Sequence, residues 1–418
     1  MVGRKDTGMA ARPDKIRRSL TNVGGAVELT GSDEVERAAL THALDVAPEE
    51  GARAHVHAFH SYPARLHAVT ARRLLEGLSP RGGRILDPFC GSGTVLVEAR
   101  LAGRRAAGID ANPLAIELTW LKTRGASESE RTALGDGARI VAEHADQRRE
   151  RKAGATHRYG REDAALFEPH VLMELDGLRA GLGKIRHDFA RRSLRLVLSA
   201  ILVKVSRRTG DTSQDTVPRR LSAGFTTKLF YRKAEELTRL LAEFTALVPR
   251  QSAEPPSVRL GDARQMEGVD RASIDLVLTS PPYPGNYDYL AHHALRLRWL
   301  GLDAEAFAKI ELGARRHLAK LPEAAARTRW SSELGEVLRA VTRVLAPKGR
   351  LVLVIADSVI GRHPIYADDL VREIAPAVGL EVGVVGSQIR PHFHAPTARA
   401  FDRRPRREHA IVCRRPAR

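Results

Sequence analysis

Residues 82–103 read GGRILDPFCGSGTVLVEARLAG. Gly82 and Gly83 mark a turn, Arg84–Asp87 reads as a short apolar strand, and apolar residues recur at helical spacing from Thr94. Gly91 and Gly93 stand between strand and helix. Glycines there let the backbone take left-handed dihedrals and approach a ligand closely. The segment 104–122, RRAAGIDANPLAIELTWLK, repeats the pattern, with a strand ending at Asp110 and a helix opened by Pro113. Strand–turn–helix units in succession predict an α/β fold with a parallel sheet.

Seven strands are predicted, near 84–87, 106–110, 257–260, 274–279, 350–356, 381–388 and 408–413. The alternation stops after Thr123. Residues 125–255 read as a helical insertion, with helices near 130–145, 167–182, 190–205 and 228–248. A second irregular stretch covers about 284–330. Residues 1–58 read as a poorly ordered arm with one short helix near Asp33–Leu44. The chain thus divides into this arm, a first α/β half (59–124), the insertion (125–255) and a second α/β half (256–418).

The chain has 418 residues, enough for two or three units and a sizeable core. Its formal net charge of +18 favours a polyanionic partner, and nucleic acid leads. An Arg-rich compositional style is the plainer alternative. Two cysteines, Cys90 and Cys413, give neither a disulfide framework nor a zinc site by themselves. No metal site is expected. The N-terminus lacks the apolar core of a signal peptide, and no apolar run approaches the ~20 residues that span a bilayer. A soluble cytoplasmic protein with no membrane partner is expected.

The glycine loop lacks two familiar signatures. Leu96 occupies the third-glycine place of the dinucleotide fingerprint, and no Gly-Lys-Ser/Thr follows. Asp110 nevertheless ends the next strand, where an acid binds ribose hydroxyls. A nucleoside cofactor without phosphates fits this pattern, and S-adenosylmethionine is such a cofactor. Cys90 is not read as a nucleophile, because no base is placed near it in the sequence. Asp262, in LGDARQM, has two open readings. It is either a helix N-cap with Gln265 three residues on, or an acceptor for an adenine amino group.

The stretch 279–283, TSPPY, ends the strand SIDLVL with two prolines and a tyrosine. Proline cannot donate to a ladder, so the strand stops there in a stiff turn. Together, DPFCGSGT and TSPPY resemble the amino-methyltransferases of DNA, which methylate N4 of cytosine or N6 of adenine. HSYPARLHAVTARRLL (60–75) is similar to that family's additional cofactor-side segment. The resemblance covers about 59–124 and 256–415. It implies a Rossmann-like seven-stranded, mostly parallel sheet with helices on both faces and one antiparallel strand, with 59–124 as the cofactor-binding half and 256–418 as the catalytic half. It also implies S-adenosylmethionine held by Tyr62, Pro63, Arg65, Asp87, Phe89, Gly91, Gly93, Thr94, Asp110 and Asp262.

In that family the turn Ser280-Pro281-Pro282-Tyr283 would be catalytic. The Ser280 hydroxyl and Pro281 carbonyl would accept the two N–H bonds of an exocyclic amino group, and Tyr283 would stack on a flipped-out base. Serine in the first position is more typical of N4-cytosine enzymes than of N6-adenine ones. Tyr287 and Tyr289 either line the base pocket, brace a nucleic-acid backbone or belong to the core.

The loop 206–228 is the expected nucleic-acid contact, through Arg207, Arg208, Arg219, Arg220 and Lys228. A solvated charged loop is the alternative. The leading function is DNA methylation, with a restriction or other defence system as the expected setting. An RNA base methyltransferase acting on transfer or ribosomal RNA is the second reading. No partner nuclease is legible.

Overall fold

The structure is a computed structural model that describes residues 25–47, 50–51, 54–213, 215–252, 254–285, 287–390 and 398–416. Its strands are β1 (Glu28–Thr30), β2 (Arg84–Asp87), β3 (Arg105–Asp110), β4 (Ser257–Leu260), β5 (Ile274–Thr279), β6 (Leu345–Ala356), β7 (Ser358–Ile360), β8 (His363–Ile365), β9 (Glu381–Ile389) and β10 (Arg407–Arg414). Eight of them form one sheet in the order β1-β9-β10-β6-β5-β2-β3-β4, and β7 and β8 form a separate hairpin. The run β6-β5-β2-β3-β4 is parallel. β10 is antiparallel to both β6 and β9, and β1 is antiparallel to β9.

The α/β sheet is therefore the expected one with an eighth strand added. The sequence pattern missed β1 because three residues are too few to show a period of two. β1 pairs Glu28–Thr30 with Val385–Ser387 on the outer edge of β9. A helix at Glu34–Leu44 follows, with the Asp33 carboxylate accepting the Glu36 N–H at 3.0 Å. The described part of the arm is thus strand and helix packed on the sheet edge. Residues 1–24 lie outside the described residues.

Alternation along the strands sends side chains to two cores. Leu276, Leu278, Val352 and Val354 pack under the helices Ala68–Leu78 and Thr94–Leu101. Val277, Leu351, Leu353 and Ile355 pack under the long helix Glu323–Val344.

The insertion forms helices Glu128–Glu150, Pro169–Leu182, Asp188–Val205 and Phe225–Leu247, close to the expected ranges. Its apolar side chains are not a separate core. One continuous cluster joins Leu134, Leu175, Ile201 and Leu237 of the insertion to Leu114, Leu118 and Leu121 of the cofactor half and to Leu297 and Trp299 beyond the catalytic turn. The stretch 284–330, read as irregular, contains the helices Tyr289–Leu300, Ala304–Ile310 and Arg315–Leu318. No helix among the described residues is long and apolar enough to cross a membrane.

Candidate active site

β2 stops at Asp87, and the chain turns through Gly91 (φ +52°) and Gly93 (φ +85°) into the helix Thr94–Leu101. A Cβ on Gly93 would meet Thr119 Cγ2 at 2.9 Å, so this position demands glycine for space as well as for φ. The Asp110 carboxylate at the end of β3 holds the turn in place. Its oxygens accept the Gly91 N–H at 2.7 Å and the Asn112 N–H at 2.8 Å. Burial pushes Asp110 up to about 6.

Asp87 performs a second task. Its Oδ1 accepts the Phe89 N–H at 3.1 Å and the Thr279 hydroxyl at 2.6 Å. Thr279 is the first residue of TSPPY, so this buried bond ties the glycine turn to the proline turn across 192 residues of sequence. Desolvation raises Asp87 to about 7.

The two turns open onto one cleft. Ser280 and Pro282 line it together with Gly91, Asp110, Phe89 and Tyr62. The Ser280 Oγ is buried, lies close to the Tyr283 hydroxyl and makes no hydrogen bond of good geometry. A buried hydroxyl facing a cleft without such a bond marks a place where a ligand group would satisfy it.

Tyr283 is placed differently from its expected role. Its side chain is only 3% exposed, is packed in the core beneath the long helix, and donates its hydroxyl to Glu408 at 3.0 Å. The aromatic faces lining the cleft belong instead to Tyr62, Phe89, Tyr289 and Phe307. Burying a phenol requires a partner for its O–H, and Glu408 supplies it.

The remaining expected residues divide. Tyr62 lines the cleft, accepts from the Asn112 side-chain amide at 3.2 Å and stacks on His293. Thr94 is buried at the start of its helix. Arg65, two residues beyond Pro63, is not among the residues lining the cleft and donates to the His57 carbonyl at 2.7 Å. Asp262 is held by its own neighbour, with Arg264 Nη2 at 2.6 Å and Arg264 Nε at 3.0 Å from both oxygens. No helix follows Asp262, so the capping box does not form; Ala263 lines the cleft in its place. Cys90 is buried, and burial pushes its thiol well up.

The basic loop is largely folded in on itself. Arg207 pairs with Glu168 at 2.9 Å, Arg208 is buried, and Arg219 donates to the Arg208 carbonyl at 3.1 Å. Among the five expected contacts, Arg220 and Lys228 are the exposed ones. Guanidinium groups have capped nearby carbonyls and carboxylates where phosphates were expected.

Sequence reasoning missed Glu311. It is buried, lines the cleft, accepts the Tyr289 N–H at 2.8 Å and binds Arg316. Burial raises its carboxyl above the ordinary glutamate value. It lies in the stretch read as irregular, where no spacing signalled it. Among the described residues, two groups have the spacing of metal ligands, the buried His55-His57-Glu98 and the largely buried Asp357-Asp368-His409. Their carboxylates are already bonded, Glu98 to Arg72 at 2.7 Å and Asp368 to Arg404 at 2.5 Å.

Residues 36–120 match the family model described as DNA methylase. This match contains the glycine turn and Asp110, while the TSPPY turn lies outside it. Among curated relatives, the Type II methyltransferase M.ScaI of Streptomyces caespitosus is 42% identical over 50 residues, 12% of this chain and 16% of that protein. The tRNA (guanine(10)-N2)-dimethyltransferase of Methanothermobacter thermautotrophicus is 37% identical over 99 residues, 22% of this chain and 27% of that one. The chain therefore spans under a third of the length of these relatives.

Among solved structures, the rRNA methyltransferase aviRa of Streptomyces viridochromogenes aligns over 91% of this chain and 94% of that one. Its TM-score is 0.33 at 15% identity. Sheet, glycine turn and the family match over residues 36–120 together resemble those of the S-adenosylmethionine-dependent methyltransferases. The resemblance to the amino-methyltransferases of DNA read from the motifs is the one the family model finds over 36–120.

Proposed function

We propose that the protein transfers a methyl group from S-adenosylmethionine to an exocyclic amino nitrogen of a base in DNA, N4 of cytosine in preference to N6 of adenine. The observation that carries this reading is Ser280, whose buried Oγ lacks a hydrogen bond of good geometry, lining the same cleft as Gly91 and Asp110. When bound, the cofactor supplies an electrophilic methyl group on its sulfonium. Asp110 is the acceptor for ribose hydroxyls, and the turn around Gly91 and Gly93 leaves room for close approach.

On the substrate side, the amino lone pair of a base is delocalised into the ring. Acceptors aimed at its N–H bonds favour the tetrahedral nitrogen and restore that lone pair. Ser280 Oγ and the Pro281 carbonyl fill this role, held by a turn whose prolines limit its motion. The aromatic rings lining the cleft, Tyr289 and Phe89 among them, offer the faces for an extruded base. Serine at position 280 favours cytosine, and DNA as substrate goes with a cytoplasmic location.

A second reading, methylation of a base in RNA, is favoured by the tRNA-methyltransferase relative. Mass spectrometry of nucleosides from DNA and RNA of expressing cells tests both. N4-methylcytosine in DNA, absent when Ser280→Ala replaces the wild type, is expected. A methylated guanine in RNA with unmodified DNA would select the second reading.

A further inference from the structure

Two strands from the far end of the chain reach the catalytic turn. Glu408 on β10 is buried, and its two oxygens have different partners. Oε1 accepts the Tyr283 hydroxyl at 3.0 Å, while Oε2 faces the Arg390 guanidinium at 2.8 Å. The Ser280 hydroxyl lies beside that of Tyr283 and has no settled bond of its own. From the cleft inward the order is Ser280, Tyr283, Glu408, Arg390. Tyr283 thus has little ring exposed to stack on a base, yet its hydroxyl joins the cleft to a buried carboxylate.

This arrangement answers a chemical need of the proposed reaction. An amino nitrogen that gains a methyl group must lose a proton. A serine hydroxyl is a poor final acceptor, since it can accept a proton only by passing one on. We infer that Ser280, Tyr283 and Glu408 form a proton relay, with the Glu408 carboxylate as its buried terminus. The inference rests on the methyl-transfer reading of the same cleft.

The step balances as follows. The nitrogen–methyl bond forms as the methyl–sulfur bond breaks, and the sulfur keeps the bonding pair. The amino proton passes to Ser280 Oγ, the Ser280 proton to Tyr283 Oη, and the Tyr283 proton to Glu408 Oε1. The serine and tyrosine end as they began, and the carboxylate ends as a neutral acid. Once product leaves, the same chain run backward returns the proton to water in the cleft.

The surroundings suit the terminus. Arg390 pairs with Glu408 at 2.8 Å and Arg406 lies nearby, and both favour the ionised carboxylate that burial opposes. Desolvation makes it more basic than an exposed glutamate, so it can take the proton. Tyr283, Arg390 and Arg406 are the titratable or charged groups acting on it.

Tyr283→Phe and Glu408→Gln, singly and together, provide the test by single-turnover methyl transfer across pH 5–9. Tyr283→Phe keeps the ring and its packing and removes only the hydroxyl. Each single variant is expected to slow transfer at least tenfold at pH 7, with cofactor affinity by calorimetry unchanged. The double variant should be no slower than the slower single, because one chain is broken once or twice. The acidic fall in the wild-type rate should disappear in both singles. Wild-type rates in Tyr283→Phe, or multiplicative losses in the double, would overturn the relay while leaving the methyl-transfer reading intact. If Glu408→Gln fails to fold, Tyr283→Phe decides alone. A wild type that methylates neither DNA nor RNA would overturn the parent reading and the relay with it.

Discussion

Asp110 combines two demands that pull against each other. It is buried enough to be pushed up to about 6, yet it must be ionised to accept strongly from a ribose. Cofactor binding should therefore tighten as pH rises from 5 to 7, by about tenfold at most if the ionised form alone binds. Calorimetry at several pH values checks this, and Asp110→Asn should flatten the response while weakening binding. Asp87 offers a purer case of linkage. Its folded value of about 7 lies above the ordinary carboxylate value of 3.8, so the folded state holds a proton the unfolded state has lost. Its contribution to stability is present below pH 4 and is lost as pH rises through 7. Urea denaturation should show wild type losing stability relative to Asp87→Asn over that interval.

At the scale of elements, the site depends on two turns staying in register, and one bond joins them directly. Thr279→Val removes the hydroxyl that Asp87 accepts while keeping the shape of the side chain. Leaving a buried carboxylate short of a donor costs about 1–3 kcal/mol, so the urea midpoint should fall. Cofactor affinity should fall with it, because Asp87 also holds Phe89 of the glycine turn. An unchanged midpoint would mean the turns are aligned by the sheet alone. Both turns were legible in the sequence because each breaks an apolar strand with residues of restricted backbone choice. The cleft's other wall, around Phe307 and Glu311, was not. Its helix Ala304–Ile310 is seven residues long, too short to display a period. Arg207 and Arg219 were readable as basic but not as paired, because their partners Glu168 and the Arg208 carbonyl meet them only through the fold.

For the whole molecule, the +18 charge remains the argument for a polyanion, although the expected loop offers few exposed cations. Arg315 and Lys320, exposed on and just after the helix Arg315–Leu318, stand a few residues from Glu311 of the cleft and are further cations for phosphate contact. Binding to duplex DNA should weaken with salt along a log–log slope near −0.9 per phosphate contacted. Fluorescence anisotropy over a salt series measures the slope. Arg315→Ala should lower it by about 1 if that side chain meets a phosphate. A slope that none of the cation replacements changes would take duplex DNA out of the cleft.

β10 lies between β6 and β9, in the interior of the sheet, although it is the last of the ten strands along the chain. β2, near the other end, finds its partner β5 only after some 190 further residues, at Leu86 and Val277. A ribosome making this protein releases β2 and β3 long before their neighbour exists, and makes β6 and β9 before the strand that belongs between them. The growing polypeptide must keep those apolar ribbons from pairing wrongly until residue 414 emerges, an order of synthesis that favours slow folding.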